Sequence, residues 1–331
     1  MTKAKLLPEW APARAVVVAW PHGEGDWAPS LAAVSECYFN LIAALSDAAE
    51  VWVMLHPSLD ANVFASALME RGLQHKPIKV WPQCSYDDTW VRDYLPLSLD
   101  DGSHVAMTFN GWGGKYAAVQ DDAAALALSH RFGLDCIKLP LVGEGGAVET
   151  NGEWLLLNAD CVVDSNRNPR LGRIGVERAI QAALGLTRIE WLQDVALTGD
   201  DTDGHIDTIA RFTDAATLVY AGRNSAHGDA DILMRLHEQM QALAHRCGVQ
   251  VHELPSPVLA SALDGRALPA TYANFLWLND YLFVPTYGLP GDVEALALLT
   301  RLCPNHKVTG VRCEALLEQH GSLHCATMQI H

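Results

Sequence analysis

Phe275-Leu276-Trp277-Leu278-Asn279-Asp280-Tyr281-Leu282-Phe283-Val284 sets two apolar runs around a polar Asn-Asp turn, and a helical pattern follows over Val293 to Leu302. Apolar runs flanking a short turn pair read as a hairpin. The same order of events recurs along the chain. Leu97-Ser98-Leu99 and Val105-Ala106-Met107 flank Asp100-Asp101-Gly102, with a helical pattern over Asp121 to Arg131. Val148 and Trp154-Leu155-Leu156-Leu157 flank Asn151-Gly152, with Gly175 to Leu184 after them. Ile206 to Phe212 and Thr217 to Tyr220 flank Thr213-Asp214, with Ala230 to Cys247 after them. At the start, Ala15 to Trp20 reads as a buried strand, Leu31 to Ala48 as a helix and Val51 to Leu55 as a second strand. The expectation is an α/β chain of about five β-β-α-β units of roughly 65 residues each. Such units, unable to bury their apolar faces alone, close around an axis. Periodicity by itself also allows an open α/β sheet.

Composition bounds the function. Half of the 331 residues are hydrophobic and 19% are charged, as in ordinary globular proteins. A net charge of −16 disfavours nucleic acid, which calls for excess Lys and Arg. It suits small cationic ligands, or simply a soluble acidic surface. The first residues do not read as a signal peptide, and no run approaches the ~20 apolar residues of a membrane span. Eight cysteines without a C-x-x-C pair suggest reduced thiols, a cytoplasmic location and no structural zinc. The chain is expected to be a single catalytic domain over 1–331, with no membrane partner and with homo-oligomerisation left open.

Several residues could carry chemistry. Cys325 lies among small and polar neighbours in Gly321-Ser322-Leu323-His324-Cys325-Ala326-Thr327. It is a nucleophile wherever its surroundings favour a thiolate, and otherwise a buried structural thiol. His205 and Asp207 lie in the acidic run Asp200-Asp201-Thr202-Asp203-Gly204-His205-Ile206-Asp207. On a strand these two would share a face, giving an acid/base beside a carboxylate. A surface acidic turn is the plain alternative, and a metal site of Asp201, Asp203, His205 and Asp207 is a third reading. Asp93, between Trp90 and Pro96, either serves a site or pairs locally with Arg92. Glu144 precedes Gly145-Gly146, a turn that either presents it to a pocket or lies plainly on the surface. Trp112 stands among glycines in Asn110-Gly111-Trp112-Gly113-Gly114, where an indole face would wall a cationic substrate, with an exposed loop or, lacking G-K-[ST], a phosphate cradle as the other readings. No G-x-S-x-G and no G-x-G-x-x-G is present.

Seven stretches, in order, resemble the agmatine deiminase family of guanidino-group-modifying enzymes. They are Glu9-Trp10 with Ala19-Trp20-Pro21-His22, Asp88 to Asp93, Phe109 to Gly114, Glu144 to Gly146, Asn166-Arg167-Asn168-Pro169, Asp200 to Asp207, and His324-Cys325. The resemblance implies a five-bladed, pseudo-symmetric α/β propeller of ββαβ repeats, the pentein fold. It also implies hydrolysis of agmatine to N-carbamoylputrescine and ammonia, part of polyamine biosynthesis, without metal or organic cofactor. By that resemblance Cys325 forms a covalent amidino-thioether, His205 is the general acid/base, and Glu144 supports it. Asp93 and Asp207 clamp the guanidinium, Asp201 serves the far end of the substrate, and Trp112 is a pocket wall. The chain departs from the family pattern at Tyr94-Leu95-Pro96, Leu157 to Ser165 and His320 to Leu323. Arginine, methylated arginine or peptidyl arginine therefore stay open as substrates, as do amidino transfer to an amine and, from other classes, a non-catalytic polyamine-binding protein or a metal-dependent hydrolase.

Overall fold

The computed structural model describes residues 3–331. Among these, sixteen strands form five small sheets. The first sheet contains β1 (Ala15–Ala19), β2 (Glu50–Leu55) and β3 (Ile78–Pro82). The second has β4 (Leu97–Ser98), β5 (His104–Thr108) and β6 (Cys136–Val142), and the third β7 (Glu149–Thr150), β8 (Trp154–Asn158) and β9 (Arg188–Leu192). The fourth has β10 (Ala210–Asp214), β11 (Thr217–Ala221) and β12 (Gln250–Leu254), and the fifth β13 (Leu276–Leu278), β14 (Tyr281–Thr286) and β15 (Lys307–Arg312). In sheets two to five an antiparallel hairpin comes first, and a helix then carries the chain to a third strand parallel to the second. This is the expected ββαβ unit.

The first unit obeys the same rule with a permutation. Its leading strand comes from the other end of the chain. β16 (Met328–Ile330) pairs antiparallel with β1, with Ala15 opposite Ile330 and Val17 opposite Met328. β2 and then β3 extend that sheet in parallel. A second tie reinforces the closure. Asn279, at φ 53° in the hairpin turn of the fifth sheet, accepts from Ala13 N at 2.8 Å and donates to the carbonyls of Ala13 and Ala48.

The middle strands β8 and β11 and the strand β1 are buried along their whole length, which is why they read as unbroken apolar runs rather than alternating ones. The helices read as one-sided. Ala230–Cys247 buries Leu233, Leu236, Met240 and Leu243, a stripe at helical spacing, and stops at Gly248 in the left-handed conformation (φ 70°). The helix Leu31–Leu45 and the turn before it are long and apolar enough over Ala28–Leu45 to span a bilayer by length and composition, against the sequence expectation. Its Val34, Tyr38, Leu41, Ile42 and Leu45 are core residues of this fold, and Glu36 lies on its outer face.

Candidate active site

The five units converge through the short segments that precede their leading strands. Asp93 lies in the helical turn Val91–Tyr94 before β4, and Glu144 opens the turn before β7. His205 caps, and Asp207 lies within, the turn Ile206–Ile209 before β10. Asn274 precedes β13, and Cys325 precedes β16. A repeat around an axis thus presents one turn per unit to the centre. The strand premise for His205 and Asp207 is corrected here, because the segment is a helical turn. The two side chains nevertheless face one centre, since a Cβ added at Gly146 would lie 2.7 Å from His205 Nδ1, 2.8 Å from Asp93 Oδ1 and 3.1 Å from Asp207 Oδ2. Gly146 is therefore needed for close approach, and its N–H donates to Asp93 Oδ1 at 3.0 Å.

Around this centre all the groups are buried. The Cys325 thiol lies 3.3 Å from Asn274 Nδ2 and 3.7 Å from Asp207 Oδ2. Burial pushes its pKa well up, and the charges of Asp207 and Asp93 add to that, so the resting group is a thiol. Asp93 accepts from Trp112 Nε1 at 2.9 Å. Burial, with Asp207 and Glu144 nearby, raises it to about 6 against the opposing pull of His205. Burial also acts to raise Asp207, but the hydrogen bond and charge of His324, with His205 and Arg211, hold it below the ordinary value. Among the described residues, neither nitrogen of the His205 ring makes a hydrogen bond of ordinary geometry. Its Nδ1 is 3.5 Å from Asp93 Oδ1 and its Nε2 3.9 Å from Glu144 Oε2. Burial works against its charge, yet Asp93 and the neighbouring Cys161 and Glu144 raise its pKa well above that of a free imidazole. The imidazole is thus held in a cage of acids that favour its charged form.

A narrow well of about 40 Å³ leads to Cys325 and is lined by Asp26, Asp88, Asp93, Trp112, Asp201 and His320 among others. Among the described residues, no Lys or Arg lines it. Asp201 stands in its wall, hydrogen-bonded by the Tyr116 hydroxyl and 3.8 Å from His320 Nε2. The four residues of the metal reading do not gather. Asp203 turns to Lys115 and Arg167, Asp201 to Tyr116, and His205 and Asp207 to the centre. Ligand atoms of Glu144, Cys161 and His205 do lie within 4.8 Å of one another. Both Glu144 oxygens already accept from Arg167 Nε at 2.8 and 3.0 Å, so a guanidinium already balances the charge of this carboxylate.

The profile of the Porphyromonas-type peptidyl-arginine deiminase family matches residues 5–330. The chain belongs to this family. It is an enzyme of the guanidino C–N hydrolase class, and its fold is the five-bladed α/β propeller. The agmatine deiminase of Stutzerimonas stutzeri is 30% identical over 356 residues, covering 97% of this chain and 94% of that one. The structure of a C. jejuni agmatine deiminase variant with substrate bound is 30% identical with a TM-score of 0.90, covering 99% and 96%. That of the Enterococcus faecalis agmatine deiminase is 25% identical with a TM-score of 0.89, covering 98% and 95%. A dimethylarginine dimethylaminohydrolase, at 16% identity and a TM-score of 0.54, shares the fold.

Within this deiminase the structure adds partners that sequence reasoning missed. Arg92 does not pair with Asp88 or Asp93. Its guanidinium turns inward to Glu9 (3.2 Å) and Gln329. Arg211 on β10 holds Glu149 at 2.7 Å and Glu9 at 2.5 Å. Asn274, also missed, was masked by its aromatic and alanine neighbours. Only its place before a leading strand, matched to the other four units, could have flagged it.

The acid-lined well predicts an opposition between stability and charge. Burial, with Asp26 and Asp93, raises Asp88 to about 7. Its unfolded value is ~3.9, so the stability held by its protonated form is complete below ~4 and is lost as pH rises through about 7. Asp88→Asn keeps an acceptor for Thr89 N, which is 2.6 Å away, and cannot ionise. It is expected to melt several degrees above the wild type at pH 8, with most of that gap gone at pH 5. Thermal melts that differ equally at both pH values would refute the assignment.

Proposed function

We propose that this deiminase hydrolyses agmatine to N-carbamoylputrescine and ammonia through a covalent intermediate on Cys325. The observation that carries the reading is a thiol beside two buried carboxylates, Asp93 and Asp207, at the end of an acid-lined well. A planar guanidinium donates N–H groups to both carboxylates, which fixes its carbon against Sγ. Its positive charge offsets the acids that suppress ionisation of Cys325, so substrate binding itself favours the thiolate. Sγ attacks the guanidinium carbon, and the C–N bond to one terminal nitrogen breaks. His205 gives that nitrogen a proton and it leaves as ammonia, with the carbon held as an S-linked amidinium. His205 then takes a proton from water, whose oxygen bonds to the same carbon. The C–S bond breaks, the ureido product leaves and Cys325 is restored. Glu144, fixed by Arg167, favours the charged imidazole before the first proton is given and again once the second has been taken, while the ring is neutral between the two steps. Trp112, through its bond to Asp93, orients that carboxylate as well as walling the site.

The far end of the well favours an amine over a carboxylate. Asp26, Asp88 and Asp201 line it, and Lys115, the nearby cation, is committed to Asp203 at 2.7 Å. An α-carboxylate brought among these acids costs several kcal/mol. The expected result is that kcat/KM for agmatine exceeds that for arginine by at least about a hundredfold. Ammonia and ureido-product assays on both substrates check this, and equal rates would overturn the choice of agmatine.

A further inference from the structure

Behind the acid ring, on the side away from the well, a chain of three groups crosses the centre of the molecule. Glu9 Oε1 lies 2.7 Å from His324 Nε2, and His324 Nδ1 lies 2.7 Å from Asp207 Oδ2. His324 is fully buried, and Asp207 is 1% exposed. Glu9 comes from the segment before β1 and borders a small cavity that also touches Arg92, Glu149, Gln329 and His331. Arg92 Nη1 (3.2 Å), Arg211 Nη2 (2.5 Å) and Gln329 Nε2 (3.2 Å) fix its two oxygens. So many donors on one carboxylate keep it ionised and leave its Oε1 aimed at the imidazole.

Proton counting decides what this chain is. A nitrogen and a carboxylate oxygen 2.7 Å apart need one hydrogen between them. Two such contacts on one ring need two hydrogens, so the ring is an imidazolium between two carboxylates. We propose that Glu9 and His324 are positioning residues for Asp207, holding that carboxylate charged, in one orientation, and aimed at the substrate guanidinium. The role given to Asp207 rests on the reading above. Charged groups facing the ring come from every side. Asp207 is on the turn before β10, Arg211 on β10, Arg92 on the turn before β4 and Glu9 on the leading segment. Glu149 sits behind Arg211, His205 beside Asp207, and His331 beyond Glu9. Burial and the two arginines hold the His324 pKa below that of a free imidazole even with Glu9 and Asp207 opposing them, and it is the pair of 2.7 Å contacts that assigns both protons to the ring.

Glu9→Gln keeps the length of the side chain and removes one counter-charge. The ring then loses a proton at lower pH while keeping one N–H for Asp207. In the proton NMR spectrum of the wild-type protein, two protected ring N–H signals are expected beyond the amide range. One is expected to vanish in Glu9→Gln and both in His324→Gln. The alkaline fall of kcat/KM should begin at lower pH in Glu9→Gln, with kcat reduced about tenfold or more and KM changed less. One signal or none in the wild type would overturn the doubly protonated ring. A wild-type pH profile and kcat in Glu9→Gln, with its signal lost, would overturn the positioning role. A wild type inert toward guanidines, with both signals present, would instead remove the substrate reading and leave the proton chain standing.

Discussion

Replacing Cys325 by serine is expected to lower turnover of agmatine by ~10⁴-fold or more, with the fold and the well unchanged. Serine is close in shape, and Cys325 makes only long contacts, 3.3 Å to Asn274 and 3.7 Å to Asp207, so nothing structural depends on sulfur. The chemistry does. A hydroxyl ionises far less readily than a thiol, and the acids at the centre suppress ionisation further. Guanidinium binding needs the carboxylates and not the sulfur, so the variant should still bind substrate by calorimetry. Intact-mass spectra of acid-quenched wild type should show the amidino adduct, and those of the variant should not. Turnover above a few per cent in the variant would move the nucleophile elsewhere.

Asp93→Asn is the second large effect, with kcat/KM expected to fall roughly 10²–10⁴-fold, the range for breaking a buried charged pair. The carboxylate uses one oxygen for Gly146 N (3.0 Å) and the other for Trp112 Nε1 (2.9 Å). An amide has one acceptor, so its NH₂ must face one of those N–H donors. The clamp loses its charge and its aim together. Asp93 is also the leading charge that keeps His205 protonated, so the alkaline limb of the variant should move to lower pH. In the wild type, activity should fall on the acid side near pH 6 as Asp93 takes a proton, because its neutral form no longer attracts a guanidinium. The pH profiles of the two proteins test both statements. An unshifted alkaline limb in Asp93→Asn would break the coupling to His205.

The fold was legible because its signals are local. Hairpin turns such as Asn279-Asp280 and one-sided stripes such as Leu233, Leu236, Met240 and Leu243 are each complete within a short stretch. What could not be read locally was the origin of the first unit's leading strand, which lies more than three hundred residues away. The residues of the centre were legible as types but not always as geometry. His205 and Asp207 converge, though on a helical turn and not a strand. Arg92 suggested a pair with its neighbours and instead serves Glu9, a partner that only the closed ring brings near. Glu9 was legible only as part of a matching stretch, without a role, and Arg211 and Asn274 carried no signal of their own, because each acquires its meaning from chain segments remote in sequence.

The pairing of β16 with β1 sets the order in which a working molecule comes into being. Cys325 follows all four hairpins in the chain and stands immediately before β16, the strand that pairs with β1. A ribosome must deliver every hairpin before it delivers Cys325. A product of premature termination has the acids but neither the sulfur nor the strand that draws the turns inward. On the mechanism proposed for Cys325, an incomplete copy is inert from the outset.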